Sequence, residues 1–263
     1  MKKAFLVVLT FVIMQVVVPT VGTYLLGAHA LGNGNVSELS GQITNPYALC
    51  IMMIAAYALT VGALYAWRLL LPDTKLVRRK TPIALAIAVT LAVLVPMSFL
   101  EELLELPDKL SNASYIIASN PLGIFCVVVV GPIVEELVFR RATLGAMLES
   151  GTKAPMAIKV SALAFALVHF NPAQAPAAIV LGCLFGWIYV RSGSIIPSIV
   201  CHIFNNALSV CLMLGIGDDV TMSTLCGSRL TAAAVSLVFT ALAVTLIKVY
   251  ARKTAGKILK NEN

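Results

Sequence analysis

Long apolar runs separated by short polar breaks dominate this chain. Eight stand out, at 4–28, 47–71, 83–100, 121–148, 155–170, 173–190, 194–214 and 230–250. A helix that crosses a bilayer needs roughly 20 mostly apolar residues; the run at 155–170 is short for that. In hydrocarbon the backbone must satisfy its own hydrogen bonds, which selects helices. The expected fold is therefore all-α: a polytopic membrane helical bundle of about eight transmembrane helices. No polar linker, low-complexity tract or internal repeat divides the chain, so 1–263 reads as a single membrane domain.

Composition agrees. The chain is 59% hydrophobic and 12% charged, against roughly 25% charged in an ordinary soluble domain, and its mean hydropathy is +0.93. The basic residues orient it. With the N-terminus inside, Lys109 and Arg229 are the two of the nineteen Lys and Arg that fall outside. Lys2, Lys3, Arg68, Lys75, Arg78, Arg79, Lys80, Arg140, Arg141, Lys153, Lys159, Arg191, Lys248, Arg252, Lys253, Lys257 and Lys260 fall inside. Short cytoplasmic loops carry such an excess. The expectation is an integral, multi-pass protein of the cell (plasma) membrane with both termini cytoplasmic. The net charge of +7 favours anionic membrane lipid as a partner. No motif or aromatic interleaving speaks for nucleic acid. The first run, about 25 residues long, exceeds a signal-peptide core and is expected to be retained. Six scattered cysteines without a C-x-x-C pair read as small buried hydrophobes.

One stretch breaks the pattern. "GPIVEELVFRRA", residues 131–142, sets Glu135, Glu136, Arg140 and Arg141 inside an apolar run. Ionisable groups at membrane depth are costly and persist when they face the bundle interior with partners. Residues four apart share a helix face, whereas neighbours diverge by roughly 100°. Glu136 and Arg140 are thus expected to neutralise each other as scaffold. Glu135 has Phe139 four residues on and is the carboxylate left free for chemistry, suited to a general base. Arg141, near the helix end, reads as a side chain reaching for the interface.

Partners are sought in other runs. His29 reads as a surface residue of the first loop. His169 closes "FALVHF", with Phe165 one turn earlier; His202 stands in "CHIFNN", with Asn206 one turn later. At 1.5 Å rise per residue, Glu135 and His169 lie roughly 20 Å from the inner ends of their helices, His202 roughly 12 Å and Asn206 roughly 18 Å. Three helices therefore offer polar groups at a similar depth. "Gly182-Cys-Leu-Phe-Gly186" is a close-packing signature, and Asn171-Pro172 and Pro197 can break helices near the polar level. "Glu101-Glu102" lacks an Arg four residues on and reads as an interfacial turn.

Together, "EELVFR" (Glu135, Glu136, Arg140), "FALVH" (Phe165, His169) and "HIFNN" (His202, Asn206) resemble the CPBP family, intramembrane proteases that include CAAX prenyl endopeptidases and Abi proteins. The family's E-E-x-x-x-R, F-x-x-x-H and H-x-x-x-N motifs occur here in order, between about 121 and 214. The resemblance implies a catalytic core at 121–214, accessory spans one to three at 1–120, and a last span with a basic cytoplasmic tail at 215–263. It also implies hydrolysis of a peptide bond in a membrane-associated peptide, prenylated or leader-bearing. Glu135, helped by His169, would activate a water; His202 and Asn206 would hydrogen-bond the oxyanion; Glu136, Arg140 and Phe165 would support them. Arg141 departs from the Gly that many bacterial members carry there. No cofactor is required in the favoured reading. Zinc held by Glu135, His169 and His202 is the alternative, against which stand the missing H-E-x-x-H spacing and an Asn in the set. Two other classes use the same buried groups: a non-catalytic bacteriocin-immunity membrane protein and a small proton- or ion-coupled transporter.

Overall fold

A computed structural model describes residues 1–32, 45–70, 76, 81–217 and 220–255. Each apolar run becomes a helix: α1 Lys2–Gly32, α2 Pro46–Ala66, α3 Ile83–Leu104, α5 Pro121–Glu149, α6 Ala154–Leu167, α7 Ala175–Ser192, α8 Ile196–Gly215 and α10 Arg229–Lys253. Two short helices, α4 Ser111–Ala118 and α9 Met222–Leu225, fill turns that carry no periodic signal. Among the described residues seven helices are long and apolar enough to cross a membrane; α6, at 14 residues, is the shorter exception. The chain is an all-helical, multi-pass membrane protein. Lys75, Arg78, Arg79, Lys80, Lys257 and Lys260, expected on the inner side, lie outside the described residues. His29 was expected in a loop, but helical backbone runs on to Gly32.

Local chemistry sets the helix ends. Asn45 caps α2, its Oδ1 accepting the N–H groups of Tyr47 and Ala48, with Pro46 at the first position, where a missing N–H costs nothing. Asn120 caps α5 by accepting the Gly123 N–H. A Cβ on Gly123 would stand 1.6 Å from the Ile117 carbonyl oxygen, so only glycine fits. Helix α6 stops at Leu167, and Pro172 biases Asn171 away from helical dihedrals, so the helix does not resume there. Phe170 turns the chain with φ of 50°.

Helix ends sort onto two faces. Lys3 Nζ approaches Glu149 at 3.3 Å and the Met1 amino group donates to Ser150 Oγ at 3.4 Å, which joins the start of α1 to the end of α5. On the opposite face the Ser223 N–H donates to Glu102 at 2.9 Å, and Arg229 meets Glu105 at 3.5 Å.

Burial divides among three packed groups; Ala4 of α1, Leu144 and Met147 of α5, Ala157 of α6 and Tyr189 of α7 make up the first. Val7 and Phe11 of α1, Tyr57 and Leu64 of α2, Val138 and Phe139 of α5 and Phe165 of α6 form one core. Val89 of α3, Phe185 and Ile188 of α7, Cys201 of α8 and Tyr250 of α10 form another. Helices α6 and α7 pack closely, as the glycine pair anticipates: a Cβ on Gly182 would lie 3.0 Å from the Ala162 Cβ. Cys50, Cys126 and Cys201 are buried, whereas Cys211 is exposed, contrary to its expected burial. A lipid-facing side chain has no need of protein cover.

Candidate active site

Glu135 and Glu136 lie on a regular piece of α5, Gly131–Glu136, between two π-helical stretches, Cys126–Val130 and Leu137–Leu144. Such wide turns displace carbonyls from the regular ladder and recur at functional sites. Val127 shows the consequence: its carbonyl accepts a hydrogen bond from Asn206 Nδ2 of α8 at 2.9 Å. Asn205 Nδ2 in turn donates to Asn206 Oδ1 at 2.9 Å, fixing the amide's orientation.

The scaffold pair forms as expected. Arg140 Nη1 lies 3.1 Å from Glu136 Oε1, and both side chains are fully buried. That approach is not an aligned hydrogen bond; the guanidinium nitrogens make none among the described residues. The guanidinium instead lies 4.4 Å over the Phe165 ring, a distance at which ring and cation attract. Glu136 does more than balance charge. Its Oε1 accepts from His202 Nδ1 at 3.0 Å. A carboxylate can only accept, so Nδ1 carries the proton and Nε2 points the other way.

His202 Nε2 lies 3.6 Å from Glu135 Oε2, beyond direct hydrogen-bond range. The expectation that Glu135 is free of partners needs correction. Tyr57 of α2 donates its hydroxyl to Glu135 Oε1 at 3.3 Å. A Cβ on Gly131 would crowd that hydroxyl at 3.3 Å, so the glycine leaves room for the contact. Helical spacing on α5 could not reveal a partner reaching in from α2. A signal existed nonetheless: Tyr47 and Tyr65 lie near the ends of their run, where aromatic belts place them, but Tyr57 lies in the middle.

His169 stands in the turn after α6, two residues beyond its last helical residue and not within a helix as expected. Its Nδ1 is 2.7 Å from the Phe165 carbonyl oxygen. A carbonyl only accepts, so Nδ1 donates and Nε2 holds a free lone pair. The Phe165 ring packs edge-on against both imidazoles, with centroids at 4.7 Å for His169 and 5.6 Å for His202. Glu135, His169, His202 and Asn206, with Tyr57 and Phe165, all line one cavity of about 680 Å³. A smaller cavity of about 250 Å³, bordered by Phe11 and Gln15 of α1, meets the first at Tyr57, Glu135 and His169. Among the described residues no three His, Cys, Asp or Glu side chains converge closely enough to hold one metal ion. The donor set of Glu135, His169 and His202 does not fit zinc as arranged.

Residues 117–208 match the family model described as type II CAAX prenyl endopeptidase Rce1-like. Every charged, imidazole and amide group expected at the site falls within that segment. That segment is what the family likeness covers. Two relatives share the likeness. The chain is 31% identical over 99 residues to YdiL of Bacillus subtilis (strain 168), a membrane peptidase by designation, covering 38% of this chain and 40% of that protein. It is 31% identical over 99 residues to the membrane-embedded CAAX protease MroQ of Staphylococcus aureus (strain USA300), covering 36% of this chain and 40% of that protein. The chain thus spans about 40% of the length of these curated relatives. No solved structure matches it. Tyr57, Gln15 and Glu101 line the two cavities from outside the matched segment.

Proposed function

We propose that this protein is an intramembrane endopeptidase that hydrolyses a peptide bond of a membrane-associated peptide with a carboxylate-activated water. The observation that carries the reading is the convergence of Glu135, His169, His202 and Asn206 on one cavity from α5, the turn after α6, and α8. A water between Glu135 and the free Nε2 of His169 meets two acceptors, so its oxygen lone pair is directed at a substrate carbonyl. Glu135 takes the proton as the C–O bond forms. It returns that proton to the amide nitrogen as the C–N bond breaks. The carbonyl oxygen, negative in between, needs donors. Asn206 has one N–H committed to Val127 and a second to give. His202, with Nδ1–H already donated to Glu136, supplies an Nε2–H as an imidazolium seated between two carboxylates. In that state Glu136 orients the ring and balances its charge, and Arg140 balances Glu136.

The reaction so written uses no metal. The basic-residue pattern supports cytoplasmic termini in a cell membrane, with lipid and a peptide or lipidated peptide as partners. The test is cleavage of a peptide library by the purified, detergent-solubilised protein. Glu135→Ala and His169→Ala should each lower kcat by about a hundredfold or more, the scale of general-base loss, at unchanged Tm. Chelator should leave wild-type cleavage intact. Cleavage undiminished in both variants sinks the assignment of roles, and chelator inhibition reversed by zinc sinks the metal-free route.

A further inference from the structure

Four carboxylates crowd the end of α3 and the loop beyond it, and their partners separate them. Glu102 accepts the Ser223 N–H at 2.9 Å. Glu105 meets Arg229 at 3.5 Å. Asp108 accepts from Asn171 Nδ2 and from the Leu110 N–H, each at 2.9 Å. Glu101 has neither a hydrogen-bond nor an ion-pair partner for its side chain among the described residues. It is half-buried, and it lines the large cavity. Leu94, Met97, Ser98 and Glu101 share one face of α3, and all four line that cavity. In the sequence Glu101 reads with Glu102 as an interfacial turn; the structure turns it toward the cavity instead.

A carboxylate withdrawn from water without a partner is costly, and it persists where function supplies one. Nothing in the cavity wall does. Its acidic members are Glu101, Asp108 and Glu135; the basic groups facing them are the imidazoles of His169 and His202, both engaged at the reacting centre, with no Lys or Arg among the described lining residues. A cleft with charge of one sign and low-dielectric walls focuses the field and draws in the opposite charge. Asp108 is tied through Asn171 to the turn that carries His169, so the acidic rim and the reacting groups belong to one frame.

We propose that Glu101 is a specificity-determining carboxylate that receives a Lys or Arg side chain of the substrate peptide. The inference rests on the proteolytic reading above and narrows it to peptides with a basic residue near the scissile bond. The substrate cation completes the pairing that α3 leaves open.

The probe is an Ala/Leu-rich fluorogenic peptide series in which one position, scanned along the peptide, is Lys, Gln or Glu. Wild type should favour Lys over Glu at one position by about tenfold or more in kcat/KM, a difference of about 1.4 kcal/mol, carried mainly by KM. Glu101→Gln should bring the Lys peptide down to the level of the Gln peptide. Glu101→Lys should reverse the order of the Lys and Glu peptides, which a purely structural role would not do. The same ranking should appear as binding anisotropy on the uncleaving Glu135→Gln protein, with and without Glu101→Gln. Cleavage without charge preference, or with a preference untouched by Glu101→Gln, overturns this inference and leaves the proteolytic reading standing. Glu101-dependent binding of Lys peptides that are never cleaved overturns the proteolytic reading and, with it, the scissile-bond part of this inference, leaving Glu101 as the cation-binding group of a peptide-binding cavity.

Discussion

Tyr57 shows how much one hydroxyl can decide at the site. It holds Oε1 of Glu135 and leaves Oε2 facing His202, so the carboxylate presents one oxygen to the cavity in a set direction. Hydrogen bonds to charged groups contribute about 1.5–3 kcal/mol. Tyr57→Phe removes the donor and keeps the ring, which packs beside Phe11 with centroids at 6.4 Å. The expected outcome in steady-state kinetics is a fall in kcat of about tenfold to a hundredfold with Tm held. An unchanged kcat would mean the hydroxyl plays no part in orienting the acid. Glu136, read from the chain as ballast for Arg140, is likewise drawn into the site through His202. The i, i+4 rule finds a residue's partner on its own helix and is silent about its partner on another.

Between elements, the contact of α6 with α7 sets a steric demand on the frame of the site. Gly182 abuts Ala162 so closely that any side chain meets both its Cβ and its Cα, at 3.0 and 3.1 Å. Overpacking of this kind costs about 1–3 kcal/mol. It would also tilt α6, whose end carries Phe165 and the turn with His169. Gly182→Leu should therefore lower Tm in detergent and reduce cleavage. Adding Ala162→Gly should recover part of both, because it removes the Cβ, one of the two atoms that the new side chain strikes. Recovery absent in the double variant would point to a cause other than this contact. The G-x-x-x-G spacing was visible in the chain; the identity of the helix it admits was not.

At the scale of the whole molecule, the large cavity must admit water and peptide between helices that otherwise face lipid. It is walled by α3 and α8 as well as α5. In a cysteine-free background, Ser98→Cys and Ser209→Cys, both lining the cavity, should react with a charged maleimide. Thr60→Cys, fully buried between helices, should not. Bound peptide should slow the first two. Equal labelling of all three positions, or of none, would contradict a water-filled route to Glu135. Helices α1 to α3 bring Gln15, Tyr57 and Glu101 to the cavities. Accessory in sequence, they are part of the walls.

What the chain determines by itself is short-range. Eight apolar runs must become helices because lipid offers the backbone no partners; the eight runs and the helices they form agree to within a few residues at most ends. The motif groups Glu135, Glu136, Arg140, Phe165, His169, His202 and Asn206 are equally legible, since isolated polar residues in apolar runs stand out and their spacing fixes which share a face. Tertiary structure decides what meets across helices. It joins Tyr57 to Glu135, Glu136 to His202 and Asn206 to Val127, and it leaves Glu101 without a side-chain partner among the described residues. Those pairings depend on crossing angles, π turns and the close approach allowed by single glycines. Such quantities sum small packing terms over the whole bundle and leave no periodic trace along any one helix.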